Sequence, residues 1–108
     1  MEMSKPERIA PGEKVPVVLS AEERRLIVDH TFAGPDLTSP LETATVSGTQ
    51  FTVRYTLDDL EELLGYIAAE ANHTPDRKLR GRLDRLYDRL QTIEASYVDE
   101  RSSGWRQN

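Results

Sequence analysis

Over the C-terminal half of the chain, hydrophobic residues recur with a helical period. Leu57, Leu60, Leu64, Ile67 and Ala71 follow one another at spacings of 3, 4, 3 and 4, so they form one apolar seam along a helix over residues 57–72. Thr56 is placed to cap it, and Asp58 and Asp59 put negative charge in the first turn, beside the positive end of the helix dipole. Thr74-Pro75 marks a second start, a cap followed by a proline at the first helical position. From there Leu79, Leu83, Leu86, Leu90, Ile93 and Tyr97 recur at 4, 3, 4, 3 and 4. With so short a link, two such helices fold back as an antiparallel helical hairpin over 57–98. At about 1.5 Å per residue the first is roughly 24 Å long and the second roughly 36 Å, which leaves about 12 Å of the second uncovered. Ile93, Tyr97 and Val98 fall in that overhang. They are expected to be buried by a second copy of the chain in a two-fold homodimer unless the sheet reaches them.

Upstream the period changes. Val15-Pro16-Val17-Val18-Leu19 is a short apolar run whose proline removes a ladder donor, which suits an edge strand. Ser20 opens a helix with Glu23 as the other half of a capping box, and Leu26, Ile27 and His30 share one face of it. Gly34-Pro35 ends that helix, and residues 36–42, with Ser39-Pro40, read as loop with one tight helical turn. From Thr43 the apolar positions alternate: Ala44 and Val46, a turn at Ser47-Gly48, then Phe51, Val53 and Tyr55 against Thr52 and Arg54. A hairpin with one buried face follows, and the strand of Pro16 can pair beside it. The whole reads as an α+β fold, a small antiparallel sheet of two or three strands with one short helix and a C-terminal antiparallel helical hairpin covering one sheet face.

Polarity sets the limits of that domain. Residues 1–14 carry three acids and three bases with Pro6, Pro11 and Gly12, too little apolar surface to offset ordering, and read as a flexible leader. Residues 99–108 are a polar, net-neutral tail, so the folded part is expected over 15–98.

Charge and composition then close several classes of function. The 108 residues hold 14 Lys+Arg and 19 Asp+Glu, a net charge of -5, and no Cys. Without cysteine there is no disulfide framework, thiolate zinc site, iron–sulfur cluster or cysteine nucleophile. No apolar run approaches the roughly 18 residues of a membrane span and the first residues do not resemble a signal peptide, so no membrane association and a cytoplasmic location are expected. The acids and bases are segregated. Residues 15–73 hold 3 bases and 10 acids, whereas residues 74–98 hold 6 bases and 4 acids.

Four of those bases, Lys78, Arg82, Arg85 and Arg89, fall within about 60° of one another at 100° per residue and form a stripe beside the leucine seam. Such a stripe suits phosphates or an acidic protein partner. The preceding helix carries Asp58, Asp59, Glu61, Glu62 and Glu70 and no base, so pairing across the hairpin or a dimer is the first expectation. Bases nevertheless crowd the first turns of the second helix, where the dipole favours acids, so something outside that helix must call for them.

Other candidates are thinner. Glu70-Ala71-Asn72-His73 has the Glu-x-x-His spacing of di-iron bundles, but those need two copies, and His73 equally suits the last carbonyls of its helix. Asp29-His30-Thr31 holds catalytic residue types whose side chains point about 100° apart and cannot form a triad. No phosphate loop or dinucleotide fingerprint exists among the isolated glycines, and no cofactor or metal site is expected. Gly65 and Gly81 each cost roughly 1 kcal/mol inside a helix, which suggests a close approach by another backbone or an exposed face. Trp105 in the tail is a candidate docking anchor. The residues therefore point to a small non-enzymatic protein-interaction module that works through its helical hairpin and self-associates. A nucleic-acid-associated accessory protein using the basic stripe is the first alternative, and a small metal- or acid/base-dependent enzyme using Glu70, His73 and His30 is the second.

Overall fold

The computed structural model describes residues 6–99. Their order is β1 (Glu7–Ile9), β2 (Val15–Ser20), α1 (Ala21–His30), α2 (Pro35–Glu42), β3 (Thr45–Ser47), β4 (Gln50–Tyr55), α3 (Leu57–His73), α4 (Arg77–Ala95) and β5 (Tyr97–Asp99). Among these residues no helix is long and apolar enough to cross a membrane.

Alternation along β2 buries Val15, Val17 and Leu19 and leaves Pro16, Val18 and Ser20 exposed. The strand pairs antiparallel with β4, Val15 opposite Tyr55 and Leu19 opposite Phe51, and β4 pairs in turn with β3. The resulting order β2-β4-β3 puts β2 at an edge, where the missing donor of Pro16 costs no ladder bond. Gly48, at φ 61°, holds the first position of the β3–β4 turn, as a two-residue turn of the II′ kind requires.

Both halves of the capping box at Ser20 and Glu23 are formed, and Thr56 and Asp59 make a second one at the start of α3. The core then joins the inner sheet face to the helical seams. Leu26 and Ile27 of α1, Leu57, Leu60, Leu63, Leu64, Ile67 and Ala71 of α3, and Leu83, Leu86 and Leu90 of α4 are all buried with Val15, Val17, Leu19, Val53 and Tyr55. Each such side chain stabilises the fold by about 1.5–3 kcal/mol.

Four elements depart from the sequence reading. Residues 35–42 form a helix rather than a loop. Pro35 presets the first turn, and Leu37 and Leu41 lie one turn apart and reach the core, a period-four pair too short to stand out from its prolines. Two donors from outside then hold α2 down: the buried Tyr55 hydroxyl donates to the Leu37 carbonyl, and Arg24 Nε donates to the Leu41 carbonyl at 3.1 Å. Burial pushes the Tyr55 phenol well above its ordinary pKa, with the charge of Asp59 adding to the shift, so it stays a donor.

The second helix starts later than Thr74-Pro75 suggests. Asp76 is the cap and accepts from the amides of Lys78 and Leu79, a carboxylate being at least as good there as a hydroxyl. Thr74 instead sits at the C-terminus of α3, where its amide donates to the Glu70 carbonyl.

That helix also ends earlier, at Ala95, and Tyr97 and Val98 belong to β5. Within the segment read as a leader, Glu7–Ile9 is β1, and it pairs parallel with β5 in a second, two-stranded sheet. Ile9 joins the core, with Ile93 and Tyr97 packed against it. The expected overhang is therefore absent. Helices of 17 and 19 residues differ by only about 3 Å in length, and Ile93, Tyr97 and Val98 are half-buried within the chain. His30 also departs, being exposed at the end of α1 rather than on its apolar face. Of the expected tail only Asp99 is described, and Trp105 lies outside the described residues.

Candidate functional site

The basic stripe runs along one flank of α4, and the neighbour on that flank is α1. Arg89 Nε and Nη2 donate to the two carboxylate oxygens of Glu23 at 2.8 and 2.7 Å, and Nη2 also donates to the Val18 carbonyl at 2.6 Å. A planar guanidinium fits this bidentate geometry, and it binds α4 to the first turn of α1 and to β2 together. Burial would raise the Glu23 carboxyl, but the Arg89 guanidinium and the Ser20 amide outweigh it and hold the group below the ordinary carboxylate value. Two turns earlier, Arg82 Nε meets Glu22 Oε2 at 3.3 Å in a half-exposed pair.

The acids that meet the stripe are thus those of α1, not those of α3 as the sequence suggested. At 100° per residue, Glu94 falls about 150° round α4 from the centre of the stripe, and burial together with the charge of Glu61 on α3 raises its carboxyl pKa. One flank of α4 therefore faces α1 and the other faces α3. A hairpin read in isolation offers only the second.

Arg80 has a separate task. Its Nε donates to the Ala71 carbonyl at 3.0 Å and its Nη2 to the Thr74 carbonyl at 3.5 Å, so it satisfies carbonyls that the end of α3 leaves open. The crowd of bases in the first turns of α4 thus has external causes in Arg80 and Arg82. Arg77, Lys78 and Arg85 have none. They are exposed, and no hydrogen bond or ion pair engages their side chains among the described residues. Arg85 and Arg82 border a shallow cleft of about 150 Å³ with Ser20, Glu22, Glu23, Leu26 and Leu86. A second cleft, of about 260 Å³, lies between α2 and the sheet with Lys14 and Arg54 at its rim.

The other candidates come to rest locally. A ring nitrogen of His73 lies 3.1 Å from the Ala69 carbonyl of its own helix, and among the described residues no three His, Asp or Glu side chains gather as metal ligands would. Among the described residues a Cβ at Gly65 would meet nothing within 4 Å outside its own helix backbone, and one at Gly81 would meet only the Arg85 guanidinium at 4.0 Å, so no other described backbone approaches either glycine. What the sequence reading missed is Phe32, which follows α1 and is 87% exposed, with Val28 one turn before it at 38%. Their i, i+4 spacing off the Leu26–Ile27 face was the available signal. Compared with known proteins, the chain matches no family model, no curated protein and no solved structure.

Proposed function

We propose that the protein is a non-enzymatic interaction module of the cytoplasm that holds an acidic protein surface against the first half of α4. The observation that carries this reading is the division of the basic residues: Arg80, Arg82 and Arg89 are engaged within the chain, while Arg77, Lys78 and Arg85 stand exposed and unengaged among the described residues. Cations on an ordered helix lose little on meeting carboxylates, and such complementarity speeds encounter and selects partners. Nucleic acid is the second reading for the same cations. It is disfavoured by the net charge of -5 and by the roughly three phosphates such a patch would neutralise.

The test is a titration of the full chain with a fluorescent Glu/Asp-rich peptide and with a single-stranded oligonucleotide of equal charge. Binding of the peptide that weakens with salt and is lost in Lys78→Glu/Arg85→Glu is expected. No binding of the peptide, or tighter binding of the oligonucleotide, would overturn the reading.

A further inference from the structure

The hairpin is electrically polarised along its length. Because α3 and α4 run antiparallel, the start of α3 and the end of α4 share one end, where Glu61, Glu62 and Glu94 lie. Glu61 and Glu62 are exposed with no partner among the described residues. Burial first, and then the charge of Glu61, raise the Glu94 carboxyl, so acids of both helices lie near one another at this end. Arg77 and Lys78 stand at the other end, and Arg85 at the middle of α4. From Lys78 to Glu94 is sixteen residues, about 24 Å along the axis, or about three screening lengths at physiological salt. Lys78 and Glu94 therefore cannot compensate each other within one molecule.

We infer that a second copy of the chain supplies the acidic surface, the two hairpins lying side by side and antiparallel so that Glu61 and Glu62 of each copy meet Lys78 and Arg85 of the other. This rests on the function proposed above, since it uses the same face of α4 and names its partner. Complementarity is the reason for choosing a second copy. Among its described residues one chain carries both the unengaged cations and acids with no ion-pair partner, and a two-fold axis turns a single match into two. The contact differs from the one expected at Ile93, Tyr97 and Val98, which the chain covers itself. Its signature is electrostatic. It forms at low salt, where the screening length is about 30 Å at about 10 mM, and dissociates near 1 M, where that length is about 3 Å.

Charge exchange tests it. Sedimentation equilibrium of the full chain at low salt is expected to give twice the 12.3 kDa chain mass, reverting to a monomer at high salt. The acidic variant Lys78→Glu/Arg85→Glu and the basic variant Glu61→Lys/Glu62→Lys are each expected to dimerise at least about tenfold more weakly, because each sets like charge against like. An equimolar mixture of the two is expected to recover a dimer of mixed composition. All four positions are exposed, and circular dichroism checks that each variant keeps its helices. A monomer at low salt, a dimer indifferent to salt and to both reversals, or two variants that fail to associate when mixed would overturn the inference. A monomer that still binds the Glu/Asp-rich peptide would overturn this inference alone and leave the proposed function standing.

Discussion

Arg89 and Lys78 lie on the same stripe of the same helix, three turns apart, and their surroundings give them opposite duties. At Arg89 the start of α1 and the free edge of β2 converge, so the guanidinium meets a carboxylate and a carbonyl at 2.6–2.8 Å. At Lys78 no described residue takes up the charge. A periodic array of like residues thus alternates between structural members, Arg82 and Arg89, and presented ones, Lys78 and Arg85, according to what the rest of the fold brings alongside. The spacing of the charges alone does not reveal the division.

Removing Arg89 should show the structural role at its strongest. Arg89→Ala strips two bonds from Glu23 and one from the Val18 carbonyl, and is expected to lower stability by about 1.5 kcal/mol, a value held down by the partial exposure of the pair. The effect should also depend on pH. Glu23 titrates below its ordinary value in the folded protein because Arg89 and the Ser20 amide outweigh the effect of burial, so its contribution is complete above the ordinary carboxylate range and is lost as pH falls through the lowered folded value. Denaturant unfolding of both proteins between neutral and acid pH is expected to show two curves that converge at the acid end. Parallel curves would mean that Arg89 acts on the Val18 carbonyl alone.

Arg80→Ala comes next. The Ala71 and Thr74 carbonyls would lose their side-chain donor, for an expected cost of about 1 kcal/mol. Hydrogen exchange should rise in the last turn of α3 and in the link to α4, with the centre of α3 unchanged. Arg82→Ala, whose single contact at 3.3 Å joins two half-exposed groups, is expected to cost under about 0.5 kcal/mol. A cost as large as that of Arg89→Ala would mean that Arg82 ties α4 to α1 as firmly as Arg89 does.

How far the sequence could be read follows the same line. Local physics was legible: the capping box at Ser20–Glu23, the Thr56 cap, the Gly48 turn, the edge strand carrying Pro16 and both leucine seams needed no knowledge of distant residues. Features created by tertiary neighbours were not. α2 is held by Tyr55 and Arg24 from elsewhere in the chain, and β1 pairs with β5 across nearly its whole length. A three-residue strand has no period to detect, and Tyr97 continued the heptad of α4 so well that its place in β5 was hidden. Spacing reveals the stripe itself, but points to α3, the sequence neighbour, as its partner. The spatial neighbour on that flank is α1.

At the opposite flank of α4 the smallest expected effect has the opposite sign. Glu94 is half-buried, and burial together with the charge of Glu61 raises its carboxyl pKa, so the ionised form weighs against the folded state. Both folded and unfolded forms are protonated below the unfolded value. The penalty therefore grows as pH rises through the ordinary carboxylate range and is complete above the raised folded value. Glu94→Gln keeps the shape and removes the charge, and is expected to stabilise the protein by about 0.3 kcal/mol at neutral pH and by nothing once both carboxyls are protonated. Thermal unfolding across that interval, at low protein concentration, measures it. In the antiparallel dimer the cations of the second copy lie near this end and should take over part of the relief, so the gain should shrink as protein concentration rises at low salt. A gain independent of concentration would leave the Glu61–Glu94 repulsion in place but remove the second copy from its neighbourhood.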